Sequence, residues 1–199
     1  MSSTIRSALR GGTAIACLLF VTGDLAANNS LKVTTGEVSI NCPLTVGGSF
    51  EAKTNAVTGE VSVASGAQEP LKGELTVDLQ KLQTGIGLRD RHMKDNYLEV
   101  KKGDEFAAAR LEDIRVEALQ GKTSFRGMLT LHGEKREVTG TANIKQNGDG
   151  YRVDANFPIR YADFGIQDAT YLGVGVKDEV HVRVNFTVAP TAAAVAASR

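Results

Sequence analysis

Apolar and polar residues alternate with period two over much of the chain. In residues 71–79 the odd positions are apolar or glycine, while Lys72, Glu74, Thr76 and Asp78 face the other way. Val180, Val182, Val184, Phe186 and Val188 alternate with His181, Arg183, Asn185 and Thr187. Tyr151 to Ile159 and Phe125 to Leu131 repeat the pattern. Successive strand side chains point to opposite faces, so each run predicts a half-buried antiparallel strand with one apolar and one polar side. Weaker runs at 36–42, 46–52, 58–64, 109–118 and 138–144 bring the count to about nine candidate strands. An open sheet of that size would leave long unpaired edges. Closing it into a barrel removes them and encloses the apolar faces, so an all-β barrel is the predicted fold.

Turn residues separate the runs. Asn147-Gly-Asp-Gly150 reads as a hairpin, and Gly133-Glu-Lys-Arg136 joins two further strands. Two stretches break the rhythm. Residues 85–100 are too polar and aperiodic for a strand; Leu88, Met93, Tyr97 and Leu98 share a helical face, which predicts a short helix with loops. Residues 161–176 form a long irregular connection before the last strand, and long structured connections are where binding functions concentrate.

The N-terminus has a different character. Arg6 and Arg10 precede an apolar stretch at 13–22, followed by the small residues Ala26 and Ala27. This is the layout of a secretory signal peptide over 1–27, the apolar run being far below the ~20 residues a membrane span needs. The alternative is an uncleaved N-terminal anchor. A domain at 28–189 and a frayed Ala-rich tail at 190–199 complete the expected organisation. A cleavable leader of this kind predicts a protein of the periplasm or the cell exterior.

Composition narrows function more than it defines it. The 199 residues carry 23 Lys and Arg against 23 Asp and Glu; without the leader the balance is about −1, which argues against nucleic-acid binding. Only Cys42 then remains of two cysteines, so no internal disulfide is expected, and its phase with Val38 and Ile40 reads as a small buried hydrophobe.

Three patterns occur in order: Val77-Asp-Leu-Gln-Lys-Leu-Gln-Thr-Gly85 followed by Arg89-Asp-Arg-His-Met93 and Tyr97-Leu98; Gly127-Met-Leu-Thr-Leu-His-Gly133; and Asp163-Phe-Gly-Ile166 with Leu172-Gly-Val174. Together they resemble the YceI-like family of secreted polyisoprenoid-binding proteins across roughly residues 31–189. The resemblance implies a lipocalin-like, extended eight-stranded antiparallel β-barrel with a short helix, whose lumen holds a long isoprenoid-type lipid. Residues 31–48 lack the aromatic-rich first strand and the His usual in the family.

The expected partner is one long-chain isoprenoid lipid, such as an isoprenoid quinone or polyprenyl phosphate, carried by a monomer or homodimer without a cofactor or metal. The candidate ligand-binding residues are Arg89, Asp90, His92, Met93, Tyr97, Phe106, Gly127, Leu129, His132, Phe164 and Tyr171. A lipid chain gains ~0.8 kcal/mol per CH₂ removed from water, so apolar walls suffice to hold it. Inward glycines at 73, 127 and 140 either leave room for that chain or relieve barrel curvature. Arg89, Arg91 and His92 could grip a polar head, with His132 a second candidate; alternatively Arg89 and Asp90 brace the helix against the rim. Phe106, Phe164, Tyr97 and Tyr171 either line the mouth or pack in the core.

Two other functional classes fit the sequence less well. One is a non-catalytic envelope interaction protein with a packed barrel and binding loops. The other is a metal or redox enzyme, which the sequence supports least: His92 and His132 lie forty positions apart without an acidic partner at metal-ligand spacing, His181 falls on a polar phase, and Asp104 and Glu105 are adjacent.

Overall fold

The computed structural model describes residues 29–63, 71–171 and 173–190; the expected leader and most of the Ala-rich tail lie outside them. The main strands are β1 (Asn29–Pro43), β2 (Ser49–Thr54), β3 (Val57–Val63), β4 (Leu71–Asp78), β5 (Ala108–Val116), β6 (Gly121–Leu131), β7 (Glu134–Asn147) and β8 (Gly150–Arg160). The short pair β9 (Thr170–Tyr171) and β10 (Val174–Gly175) follows, then β11 (Glu179–Pro190). Neighbours pair antiparallel in the order β11-β8-β7-β6-β5-β4-β3-β1-β2, and β11 also pairs with β1, which closes the barrel.

The expected nine strands occupy eight positions in the barrel. β2 lies against Val38–Pro43 and β3 against Asn29–Lys32 of the same strand, so the two are one strand interrupted at Asn55 and Ala56. β1 starts well before the expected residue 36, because backbone pairing with β3 and β11 carries it through Lys32 and the threonines that spoil its alternation. β2 starts later than expected. Leu44 to Gly48 is instead a turn closed by Leu44 N–H donating to Gly48 O at 2.9 Å, with positive φ at Gly47 and Gly48.

Alternation places the core. Val180, Val182, Val184, Phe186 and Val188 are all buried, as are Val153, Ala155 and Phe157 opposite them. Hairpin chemistry fixes register: Leu131 pairs with Glu134 across His132 (φ +54°) and Gly133 (φ +81°), and two consecutive positive φ values match the twist of the flanking strands. β5 carries an extra residue relative to both neighbours, with Asp113 at φ +50°. The flanking strands have Gly73 and Gly127 beside this bulge. A Cβ on Gly127 would lie 3.0 Å from Leu111 Cδ1 and 3.1 Å from Glu112 O, so that glycine lets the bent strand approach.

The strand directions put the Leu44–Gly48 turn and both long connections at one end of the barrel. The first connection runs through a 3₁₀ turn (Leu79–Lys81), helix α1 (Gly87–His92), a π-helical turn (Met93–Tyr97) and α2 (Asp104–Ala107). The second contains a 3₁₀ turn (Tyr161–Phe164) and the β9–β10 ribbon. Together they form a cap.

Candidate functional site: an apolar cavity beneath the cap

The cap is stitched by backbone groups and a few side chains. Lys53 and Gln83 exchange backbone hydrogen bonds at 2.7 and 2.8 Å, holding the start of the first connection to β2. Tyr97 Oη donates to Thr170 O at 3.1 Å, joining the two connections. Thr45 N–H donates to Gly175 O, and Gly175 N–H returns a bond to Thr45 Oγ1 at 3.0 Å.

Under this cap, the upper half of the barrel encloses a cavity of about 610 Å³. Its walls come from the inward phase of β1 (Val38, Ile40, Cys42), β6 (Leu129, Leu131) and β11 (Val180, Val182, Val184). Its roof includes Leu88, Met93, Tyr97 and Leu98, the four residues of the expected helical face. Ile86, Leu88 and Val174 also line it, yet are 54%, 51% and 36% exposed, so the cavity reaches the surface between α1 and the β9–β10 ribbon.

Arg89 is the only Arg, Lys, Asp or Glu among the described lining residues. Its guanidinium stacks 4.1 Å from the Phe50 ring centroid. Arg89 Nε donates to Thr84 Oγ1 at 2.9 Å and Nη2 to Thr84 O at 3.3 Å. Asp90 approaches the same threonine, accepting from its backbone N–H and its hydroxyl. Arg89 and Asp90 therefore fix the helix through Thr84, the bracing reading of the sequence, while Arg89 also lines the cavity. His92 joins Arg89 in the lining.

The expected ligand-binding residues divide. Arg89, His92, Met93, Tyr97 and Leu129 line the cavity. Asp90 is held by Thr84 outside it, and Gly127 is closed off by Leu111. His132, Phe106 and Phe164 gather behind the wall. His132 Nδ1 lies 3.1 Å from Phe164 O and Nε2 3.0 Å from Glu99 Oε2, while the Phe106 ring meets its imidazole edge-on at 4.8 Å. Lys102 binds the same Glu99 and, more than His132, holds that carboxyl below its usual range. This cluster ties the β6–β7 turn to both connections, because Glu99 and Phe164 belong to one each. The backbone of Tyr171 pairs with Val174; its side chain lies outside the described residues.

The sequence reading missed Phe50, Ile86, Ile166 and Thr170 as lining residues. Phe50 sits on the same phase as Ala52, a signal too short to extract from a weak strand. Cys42, read as a buried hydrophobe, also lines the wall; burial pushes its thiol up to about 11 despite Arg89 nearby. Such a thiol stays protonated at neutral pH and behaves as part of the apolar surface. Tyr161, also in the lining, is raised by burial and donates its hydroxyl to Val176 O at 3.0 Å. Among the described residues, no group of three or more His, Cys, Asp or Glu is placed to hold a metal ion, and no helix is long and apolar enough to cross a membrane.

The sequence model of the YceI-like domain matches residues 31–188, the whole closed barrel with its cap. The chain belongs to the YceI-like family. No curated sequence matches it significantly. Two solved structures share the fold of this YceI-like domain. BcnA of Burkholderia cenocepacia is 19% identical with a TM-score of 0.62, covering 77% of this chain and 96% of its own. A polyisoprenoid binding domain from Saccharophagus degradans, implicated in plant cell wall breakdown, is 14% identical with a TM-score of 0.60, covering 82% and 99%. The match from residue 31 shows that the YceI-like domain includes the first strand even without the aromatic-rich start.

Proposed function

We propose that this YceI-like protein is a non-catalytic carrier, exported to the periplasm or beyond, that holds one long-chain isoprenoid in the barrel with its polar head at the mouth. The observation that carries the reading is the cavity itself: about 610 Å³, walled by apolar side chains, with one arginine, Arg89, among the described lining residues. That volume lies within the range of small-molecule sites, and the walls reward hydrocarbon. Arg89 is pre-positioned by Thr84 and Phe50, which reduces the ordering cost of gripping a phosphate or quinone oxygen, and His92 is close enough along the helix to assist. The ligand class is that of the polyisoprenoid binding domain from Saccharophagus degradans, and export is argued from the leader-like residues 1–27. A packed-scaffold reading suits only the lower half of the barrel, where the remaining void is about 40 Å³.

Native mass spectrometry of protein exported by its own host tests the reading. An added mass matching an isoprenoid, displaced by an isoprenoid quinone or polyprenyl phosphate, is the expected result. A barrel that is always empty and takes up neither compound would overturn it.

A further inference from the structure

The lumen is not one continuous tube. Four residues, Leu75, Leu111, Phe157 and Val184, border both the large upper cavity and the small void beneath it. They form a floor across the barrel at mid-height. Phe157 is its bulkiest member, 6% exposed, and meets Phe125 edge-to-face with ring centroids 5.6 Å apart. The edge-to-face geometry sets the positive rim of one ring against the negative face of the other, which favours this arrangement beyond the area it buries and holds the ring in place. Gly140 makes the pair possible. A Cβ there would meet Asn156 O first and lie 2.7 Å from both Phe125 Cε1 and Phe157 Cβ, so the missing side chain is space given to the backbone of β8 and to the aromatic floor. Below it, Ile144, Val153 and Phe186 fill the barrel.

We infer that Phe157, seated on Phe125 over Gly140, is the residue that sets the maximum length of the ligand chain. The inference rests on the carrier reading above. A chain entering from the mouth gains contact with each isoprene unit until its tail meets the Phe157 ring. Further units must stay outside or double back, and add little. Replacing Phe157 by alanine removes six ring carbons, more than the five of one isoprene unit, and connects the two spaces.

The test measures binding of two homologous series to the exported protein: isoprenoid alcohols lengthened one unit at a time, and straight-chain alkanols. In the wild type, affinity should rise with length and then level off in both series. In Phe157→Ala the plateau should begin at least one isoprene unit later, with Phe157→Leu between the two and serving if the alanine variant folds poorly. An unchanged plateau in a folded variant would overturn the floor as the length limit while leaving the carrier reading intact. Alkanols that show the shift while no isoprenoid binds would uphold the floor and overturn the isoprenoid reading. Binding of neither series would overturn both.

Discussion

One carboxylate oxygen of Asp90 accepts two hydrogen bonds from Thr84, at 2.6 Å from the backbone N–H and 2.5 Å from the hydroxyl. The hydroxyl in turn accepts from Arg89, so a relay of three residues sets the angle at which α1 leaves the barrel. Thr84→Val keeps the shape and removes the relay. It should cost about 1–3 kcal/mol of stability, since a part-buried carboxylate and a guanidinium each lose a partner. Thr84→Ser should recover most of that loss. Denaturant unfolding of the three proteins checks this; a valine variant as stable as the wild type would show that the relay does not hold the helix.

Arg89→Gln separates head recognition from chain burial. A charge-assisted hydrogen bond is worth about 1.5–3 kcal/mol, so affinity for a polyprenyl phosphate should fall about 10- to 100-fold. The uncharged alcohol of the same chain length should bind almost as before. Equal losses for both ligands, measured by fluorescence competition, would mean that Arg89 serves the helix alone.

Cys42 is a reporter inside the cavity wall. With the thiol pushed up to about 11, only about one in a thousand is ionised at pH 8, so alkylation by iodoacetamide should be slow there. The rate should climb roughly tenfold per pH unit up to pH 10, and a bound lipid should protect the thiol further. Rapid, lipid-insensitive alkylation at pH 7 would place the sulfur outside the cavity in solution.

Gly127→Ala should act on stability. The new methyl would meet Leu111 Cδ1 at 3.0 Å and Glu112 O at 3.1 Å, an overpacking that costs about 1–3 kcal/mol. Lipid affinity of the folded fraction should stay within a factor of about two, since less than 0.5 kcal/mol of binding energy would be at stake. Binding that collapses while the melting temperature holds would move Gly127 to the lumen surface.

Asp178 links stability to acid. It accepts from the Ala162 backbone N–H at 3.0 Å and from Arg160 Nε at 2.6 Å, and these bonds, the amide first, hold its carboxyl below the usual range. A lowered folded value means the contribution is fully present above the unfolded carboxyl value of about 3.9 and disappears as pH falls through the folded one. Asp178→Asn should lower stability at pH 7 and flatten the decline on acidification below about pH 4. An acid limb identical to that of the wild type would refute this coupling.

The parts of the molecule legible in its sequence are those governed by local periodicity. Val180 to Val188 announces β11 because every second side chain must be buried, and the face shared by Leu88, Met93, Tyr97 and Leu98 does the same for the roof of the cavity. The roles of single polar residues were less legible. His132 meets Glu99 and Phe164, partners 33 and 32 positions away, and only the closed barrel brings them together. Gly140 shows the same limit: its inward phase was readable, but that its space is taken by Phe125 and Phe157 depends on three strands at once. The break at Asn55 and Ala56 was hidden because both halves of the strand alternate like separate strands.

The seam between β1 and β11 has a consequence for how the protein is made. Leu31 pairs with Pro190 and Asn41 with His181, so the first strand of the barrel waits for the last. Loop closure over such a separation is entropically expensive and slow. During synthesis, the ribosome must deliver nearly the whole chain before the ring of hydrogen bonds can form. Until then β1 keeps an unpaired edge and the apolar faces of the strands have no closed wall to turn toward.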